Sequence, residues 1–262
     1  MHMKYAIVDL GSNTVRLSVY DTLPDGSFQL LFSEKEMAGI VNYIDQGLLS
    51  QEGVEKACSV LLGFRTLLGH FGMEAMHVFA TASLRNIRNT REAVEAIQRR
   101  TGLFVDVLSG ETEARLGYYG ALLTCDLQTG AMFDIGGGST EILEVRKGDI
   151  RQAESLPIGS LNLFNQYVSK IWPKKGELAA IRERIGDTLA VAGLPAKKVT
   201  CVCGVGGTAR AVLKIAAAYY GLAPEERTLT VAELDEIASI LLKRDPTPRG
   251  LILPACPDRV HT

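Results

Sequence analysis

Phe133-Asp134-Ile135-Gly136-Gly137-Gly138-Ser139-Thr140-Glu141 is the stretch whose reading decides the fold. A short apolar run, Ala131-Met132-Phe133, ends at an acid. Three glycines, two hydroxyls and a second acid follow, and Ile142-Leu143-Glu144-Val145 resumes an extended pattern. This reads as strand, tight glycine turn, strand. Glycines let backbone N–H groups face a bound anion with no Cβ in the way. Asp134 and Glu141 cannot grip phosphate themselves, because like charges repel. They can hold a divalent cation that phosphate oxygens also touch. The segment points to a metal–phosphate site; a plain β-hairpin with polar turn residues is the alternative.

Ala6-Ile7-Val8-Asp9-Leu10-Gly11-Ser12-Asn13-Thr14 repeats the design near the start. Asp134 lies 125 positions after Asp9, and Gly136 lies 125 after Gly11. Thr140 lies 126 after Thr14, which predicts one extra residue in the second turn. Two such units half a chain apart imply two similarly folded halves facing one cleft. The halves are expected at residues 1–124 and 125–262.

Composition bounds the rest. The 262 residues are 47% hydrophobic, ample for packed cores. No apolar run approaches the roughly 20 residues of a membrane span. The opening residues, Met1-His2-Met3-Lys4, lead at once into a predicted strand, leaving no room for a signal peptide. Cytoplasm is the expected compartment. A net charge of −2 argues against a general nucleic-acid binder. Arg85, Arg88 and Arg91, Lys174-Lys175 and Lys197-Lys198 are local basic clusters of the kind usually found on solvated faces. Cys201-Val202-Cys203 is too tightly spaced for the usual zinc pair. It sits in an apolar stretch, where buried free thiols are expected. The four histidines have no metal-ligand spacing.

Along the first half, strands are predicted over 5–10, 15–21 and 28–33, and 36–49 reads as irregular. Ser50 caps a helix in which Val54, Ala57, Leu61, Phe64, Leu68 and Phe71 recur at helical spacing. A strand over 76–80, a helix or turn bearing Arg85, a helix over 91–100, a strand over 103–108 and a helix over 111–123 capped by Ser109 follow. The order βββαβαβα gives an α/β fold with a mixed sheet covered by helices. In the second half the hairpin precedes a strand over 150–156, a break at 157–160 before 161–169, a helix over 177–192, and an apolar strand over 199–203. That strand runs into Gly204-Val205-Gly206-Gly207-Thr208 and another helix. Thr230 and Glu233 form a capping box.

Three segments add chemistry. A helix N-terminus preceded by glycines is an anion site by geometry and dipole, which makes Gly206, Gly207 and Thr208 candidates. The pattern matches neither the dinucleotide fingerprint nor the P-loop, and tight strand–helix packing would also explain it. In Ser109-Gly110-Glu111-Thr112-Glu113-Ala114-Arg115 the acids suit the first turn of a helix. A carboxylate there, beside bound phosphate, can also take a proton from an attacking water. Arg85 ends Ala80-Thr81-Ala82-Ser83-Leu84-Arg85, just beyond a strand. It is either an exposed helix arginine or a bidentate grip on phosphate.

Together these segments resemble the exopolyphosphatase / guanosine pentaphosphate phosphohydrolase family of the actin–Hsp70–sugar kinase superfamily. The matching stretches are residues 7–14, 80–85, 109–115, 133–141 and 204–208, in the family's order and across nearly the whole chain. The resemblance implies two ribonuclease H-like domains with phosphate in the cleft between them. By position, Glu113 resembles the base that activates water, and Asp134 and Glu141 the acids that organise Mg²⁺. Gly11, Ser12 and Asn13, Gly136, Gly137, Gly138 and Ser139, with Arg85, resemble the phosphate grips. The implied reaction removes terminal phosphate from polyphosphate, from guanosine pentaphosphate, or from both. A homodimer fits the same resemblance. Residues 251–262 resemble a segment that family members continue with a further helix, strand and helix, so the second domain is expected to be C-terminally incomplete. Two other readings stand beside the hydrolase. One is a sensor that binds phosphate or nucleotide without turnover, for which Glu113 is superfluous. The other is a sugar kinase or actin-like protein, which the short chain disfavours.

Overall fold

The structure is a computed structural model that describes residues 3–73, 75–193, 199–243 and 247–257. It divides into two compact units: Met1–Glu113 with Gly137–Ser139, and Ala114–Gly136 with Thr140–Thr262.

The first unit opens with three antiparallel strands, β1 (Lys4–Leu10), β2 (Val15–Thr22) and β3 (Phe28–Glu36). Period-two alternation buries Ala6, Val8 and Leu10 of β1 and Val15, Leu17 and Val19 of β2. They share one core with Leu61, Phe64 and Leu68 of α1 (Gln51–His70). Burying each such side chain contributes about 1.5–3 kcal/mol. Phe71, the last of the helical series, lies beyond the helix end and is exposed; its ring meets Phe32 at 5.0 Å.

The stretch expected to be irregular holds more order than its sequence suggests. β3 runs on to Glu36, a 3-10 turn covers Ile40–Tyr43, and β4 (Ile44–Asp45) pairs with β5 (Leu48–Leu49). Gln46 and Gly47 turn this hairpin with φ of 47° and 76°, the left-handed pair that such two-residue turns require. Strands of two residues are too short to show a period.

Beyond α1 come β6 (His77–Ala80), α2 (Ala82–Arg85), α3 (Thr90–Thr101), β7 (Val105–Val107) and α4 (Gly110–Ala121). β6 lies parallel to β1, and β7 to β6, giving the order β3-β2-β1-β6-β7. Ser50 Oγ accepts the Gly53 N–H at 3.2 Å, as a helix cap should. Ser50→Ala is expected to lower stability by about 1 kcal/mol, read as a lower urea midpoint at unchanged slope.

The second unit repeats the plan with β8 (Thr129–Ile135), β9 (Thr140–Arg146) and β10 (Asp149–Leu156). α5 (Ser160–Tyr167), α6 (Lys175–Val191), β11 (Val202–Val205), α7 (Gly206–Tyr220), α8 (Val231–Leu241) and α9 (Thr247–Ala255) follow. The sheet order is β10-β9-β8-β11, three antiparallel strands with a parallel neighbour beside the first, as in unit one. The register corrects one expectation. Leu10 pairs with Val15, and Ile135 with Thr140, so both turns contain four residues and Thr14 corresponds to Ser139. The two threonines only appeared equivalent, because strand pairing rather than residue type sets the correspondence.

The cysteines are also corrected. Cys201 is exposed, Cys203 is half-buried and Val202 is 52% exposed. β11 is an edge strand with β8 as its neighbour. Its Val202 side lines a cavity of about 430 Å³ with Phe133, Ile142, Leu163, Ile185 and Leu189. Cys203 Sγ lies 3.6 Å from Cys125 Sγ. Burial, first, and the neighbouring thiol push Cys203 up to about 11. The capping box of α8 forms as read: Thr230 Oγ1 accepts the Glu233 N–H at 3.2 Å, and Glu233 Oε2 accepts the Thr230 N–H at 2.7 Å. Among the described residues no helix is long and apolar enough to cross a membrane. Lys197-Lys198 lies outside the described residues, as do residues 258–262.

Candidate functional site

In the first unit, the β1–β2 turn is Gly11-Ser12-Asn13-Thr14. The Gly11 N–H donates to Thr14 O at 3.1 Å. A Cβ on Gly11 would stand 2.8 Å from that oxygen, so the turn needs glycine for close approach. The chain beyond β3 returns to hold the turn, with Val41 N–H donating to Ser12 O at 2.9 Å and Gly39 N–H to Asn13 O at 2.8 Å. Gly137, Gly138 and Ser139 belong to this unit. A Cβ on Gly138 would meet Ser12 Oγ at 2.5 Å, and Ser12 and Ser139 are both buried.

Arg85 closes α2, directly after β6. Its Nη1 donates to Leu108 O at 3.1 Å and to Glu113 Oε2 at 2.6 Å. Ser109 Oγ accepts the Thr112 N–H at 3.1 Å, which starts α4 and sets Glu113 in its first turn. The arginine and the acid singled out in the sequence are thus one charge-assisted pair, with side chains only 17% and 21% exposed. The other arginines of that cluster hold local structure. Arg88 Nη2 donates to Gln46 O at 2.5 Å, and Arg91 pairs with Glu95 one helical turn on.

In the second unit, Asp134 and Glu141 stand directly opposite each other in the β8–β9 ladder. Facing like charges destabilise a strand pair. The first hairpin avoids this, because Asp9 faces Arg16. Burial, and then the Glu141 charge, push the Asp134 carboxyl above the usual range, while Arg210 pulls it down. Glu141 is 4% exposed, and its Oε1 accepts from Ser155 Oγ at 2.7 Å. A divalent cation would relieve this repulsion. Mg²⁺ suits a site of one or two carboxylates, because it keeps several waters and takes substrate phosphate oxygens. Among the described residues no group of three or more His, Cys, Asp or Glu is gathered for a metal.

Gly206 starts α7 at φ +79°, and a Cβ there would run into the Asp134 carboxylate. The glycine turn after β11 is therefore pressed against the acid. Thr208 Oγ1 donates to Ile135 O at 2.9 Å. Ser160 donates to Gly136 O through both N–H, at 2.9 Å, and Oγ, at 3.2 Å. Asp134, Glu141, Gly136, Gly206, Gly207 and Thr208 thus belong to one unit. Gly11, Ser12, Asn13, Gly137, Gly138, Ser139, Arg85 and Glu113 belong to the other. Sequence reasoning missed Ser155, Ser160, Ser83 and Arg210. Arg210 had a usable signal, its place one helical step beyond the last glycine turn.

Taken separately, the first unit offers a glycine turn and a carboxylate beside an arginine, and the second offers a glycine turn at a helix start and two facing acids. The profile of the Ppx/GppA phosphatase family matches residues 19–252. Exopolyphosphatase 1 of Mycobacterium tuberculosis is 25% identical over 265 residues, spanning 98% of this chain and 77% of that protein. The solved structure of an exopolyphosphatase from Cytophaga hutchinsonii superposes with a TM-score of 0.83 at 21% identity, covering 99% of this chain and 86% of that one. That of the Aquifex aeolicus Ppx/GppA family member gives 0.76 at 24%, covering 100% and 86%. At such identities these two establish the α/β fold, and the profile match establishes the kinship: this chain belongs to the Ppx/GppA phosphatase family.

Proposed function

We propose that the chain is a Mg²⁺-dependent cytoplasmic phosphohydrolase that releases terminal phosphate from inorganic polyphosphate, guanosine pentaphosphate, or both. The observation that carries this reading is the Arg85–Glu113 pair. A pocket that only binds phosphate can use such an acid to orient its arginine, but a hydrolase gains more from it. Glu113 takes a proton from the attacking water as its oxygen bonds to the terminal phosphorus. The P–O bond to the remaining chain breaks, and its electrons leave with the departing phosphate oxygen. Arg85 offsets charge on the transferring group, and the turns at 11–13 and 136–139 orient it, with Gly206, Gly207 and Thr208. Asp134 and Glu141 would hold the cation, which when bound neutralises phosphate oxygens. The name of the mycobacterial relatives supports polyphosphate as the first substrate to try.

Phosphate release from polyphosphate and from guanosine pentaphosphate, assayed in parallel, is expected to require added Mg²⁺ and to stop in excess EDTA. Release that persists in EDTA would remove the cation from the proposal. Folded protein that binds either compound yet releases nothing would favour a phosphate or nucleotide sensor instead.

A further inference from the structure

Leu10 and Ile135 carry the last strand carbonyls before the two glycine turns. Within the first unit Ser83 Oγ donates to Leu10 O at 2.5 Å. Within the second Thr208 Oγ1 donates to Ile135 O at 2.9 Å. Both bonds join residues 73 positions apart. Ser83 and Thr208 lie 125 positions apart, as do Leu10 and Ile135, and as do Asp9 and Asp134. In each unit the hydroxyl sits three residues beyond the strand that runs parallel to the turn's own strand, since β6 ends at Ala80 and β11 at Val205. The turn residues themselves differ between the copies, Ser12-Asn13-Thr14 against Gly137-Gly138-Ser139. The hydroxyl-to-carbonyl bond is kept in both.

The bond has a definite mechanical consequence. A peptide is planar, so fixing a carbonyl fixes the N–H on the far side of the same plane. Ser83 sets the Leu10–Gly11 plane, whose N–H closes the turn onto Thr14 O at 3.1 Å, and Thr208 sets the Ile135–Gly136 plane. Leu10 and Ser83 are fully buried, so water cannot replace the hydroxyl. Donors aimed before the ligand arrives spend nothing on reorganisation when it does.

We propose that Ser83 and Thr208 are paired positioning residues, each fixing the first peptide plane of one glycine turn, and with it the turn's shape, so that phosphate meets the later N–H groups of the turn already aimed. This rests on the turns being phosphate grips. Thr208 then acts through its hydroxyl on the backbone rather than on the ligand.

The test titrates inorganic tripolyphosphate into the full chain by calorimetry, with phosphate release measured on the same samples. Thr208→Val keeps the shape and removes the hydroxyl; Thr208→Ser restores it. Thr208→Val and Ser83→Ala are each expected to weaken binding by about tenfold or more, the size of one lost buried hydrogen bond. Thr208→Ser is expected to recover most of that loss. Should Ser83→Ala fail to fold, the half-buried Thr208 pair carries the test alone. Wild-type affinity in Thr208→Val, or equal weakness in Thr208→Ser, overturns the proposal. A wild-type chain that binds no tripolyphosphate overturns it together with the phosphate grips. Wild-type binding without phosphate release, with the variants weakened as expected, leaves positioning standing and removes only the hydrolase reading.

Discussion

Glu113→Gln is expected to lower the rate of phosphate release by about 10²–10⁴-fold, the usual contribution of a general base, with substrate affinity no weaker than wild type. Glutamine keeps the shape of the side chain and an oxygen for Arg85 Nη1, now 2.6 Å from Glu113 Oε2. It cannot accept a proton from water. The substitution therefore separates proton transfer from packing, which Arg85→Ala would not. Arg85 also holds the Leu108 carbonyl at the approach to α4, so its removal would disturb the turn that carries Glu113. The comparison is of kcat and KM for both variants, with thermal melts as the control. A kcat for Glu113→Gln within threefold of wild type would show that Glu113 is not the base.

Gly206→Ala is expected to cost stability and activity together. A φ of +79° costs a residue with a Cβ about 1–3 kcal/mol. The new methyl would also meet the Asp134 carboxylate, which burial and the facing Glu141 already strain. Either the turn moves or the carboxylate rotates away, and both disturb the acid pair. Gly221 supplies the control. It ends α7 at φ +67°, and a Cβ there has open space. Gly221→Ala should lose stability alone, whereas Gly206→Ala should also lose most phosphate release and require more Mg²⁺. Equal losses of activity in the two variants would make the contact with Asp134 irrelevant.

Features that depend on near neighbours were readable from the sequence. The alternation of Ala6, Val8 and Leu10 needs only a period of two, and Ser50 and the Thr230–Glu233 box lie within one turn of what they cap. The glycine turns announced themselves because backbone approaching a group closely excludes a Cβ, as at Gly11. What escaped is decided at a distance. Nothing local says that β11 lies at a sheet edge, so Cys201 and Val202 looked buried. The partner of Ser83 is 73 residues away. The offset taken from Asp9 and Asp134 carries Ser83 onto Thr208, but nothing in the sequence names the carbonyl that either hydroxyl meets. The Arg85–Glu113 contact was out of reach: each residue was a candidate separately, and only the fold joins them.

The strand order β3-β2-β1-β6 recurs as β10-β9-β8-β11, and the offset of 125 residues holds from Asp9 and Asp134 to Ser83 and Thr208. Across the cross-strand register the two copies part at one telling position, Arg16 opposite Asp9 and Glu141 opposite Asp134. In one copy the acid faces a residue of opposite charge across the ladder. In the other, two carboxylates face each other, and a cation held there would couple the stability of the hairpin to the ionic make-up of its surroundings. Two hairpins of one plan thus part company in the sign of a single cross-strand side chain.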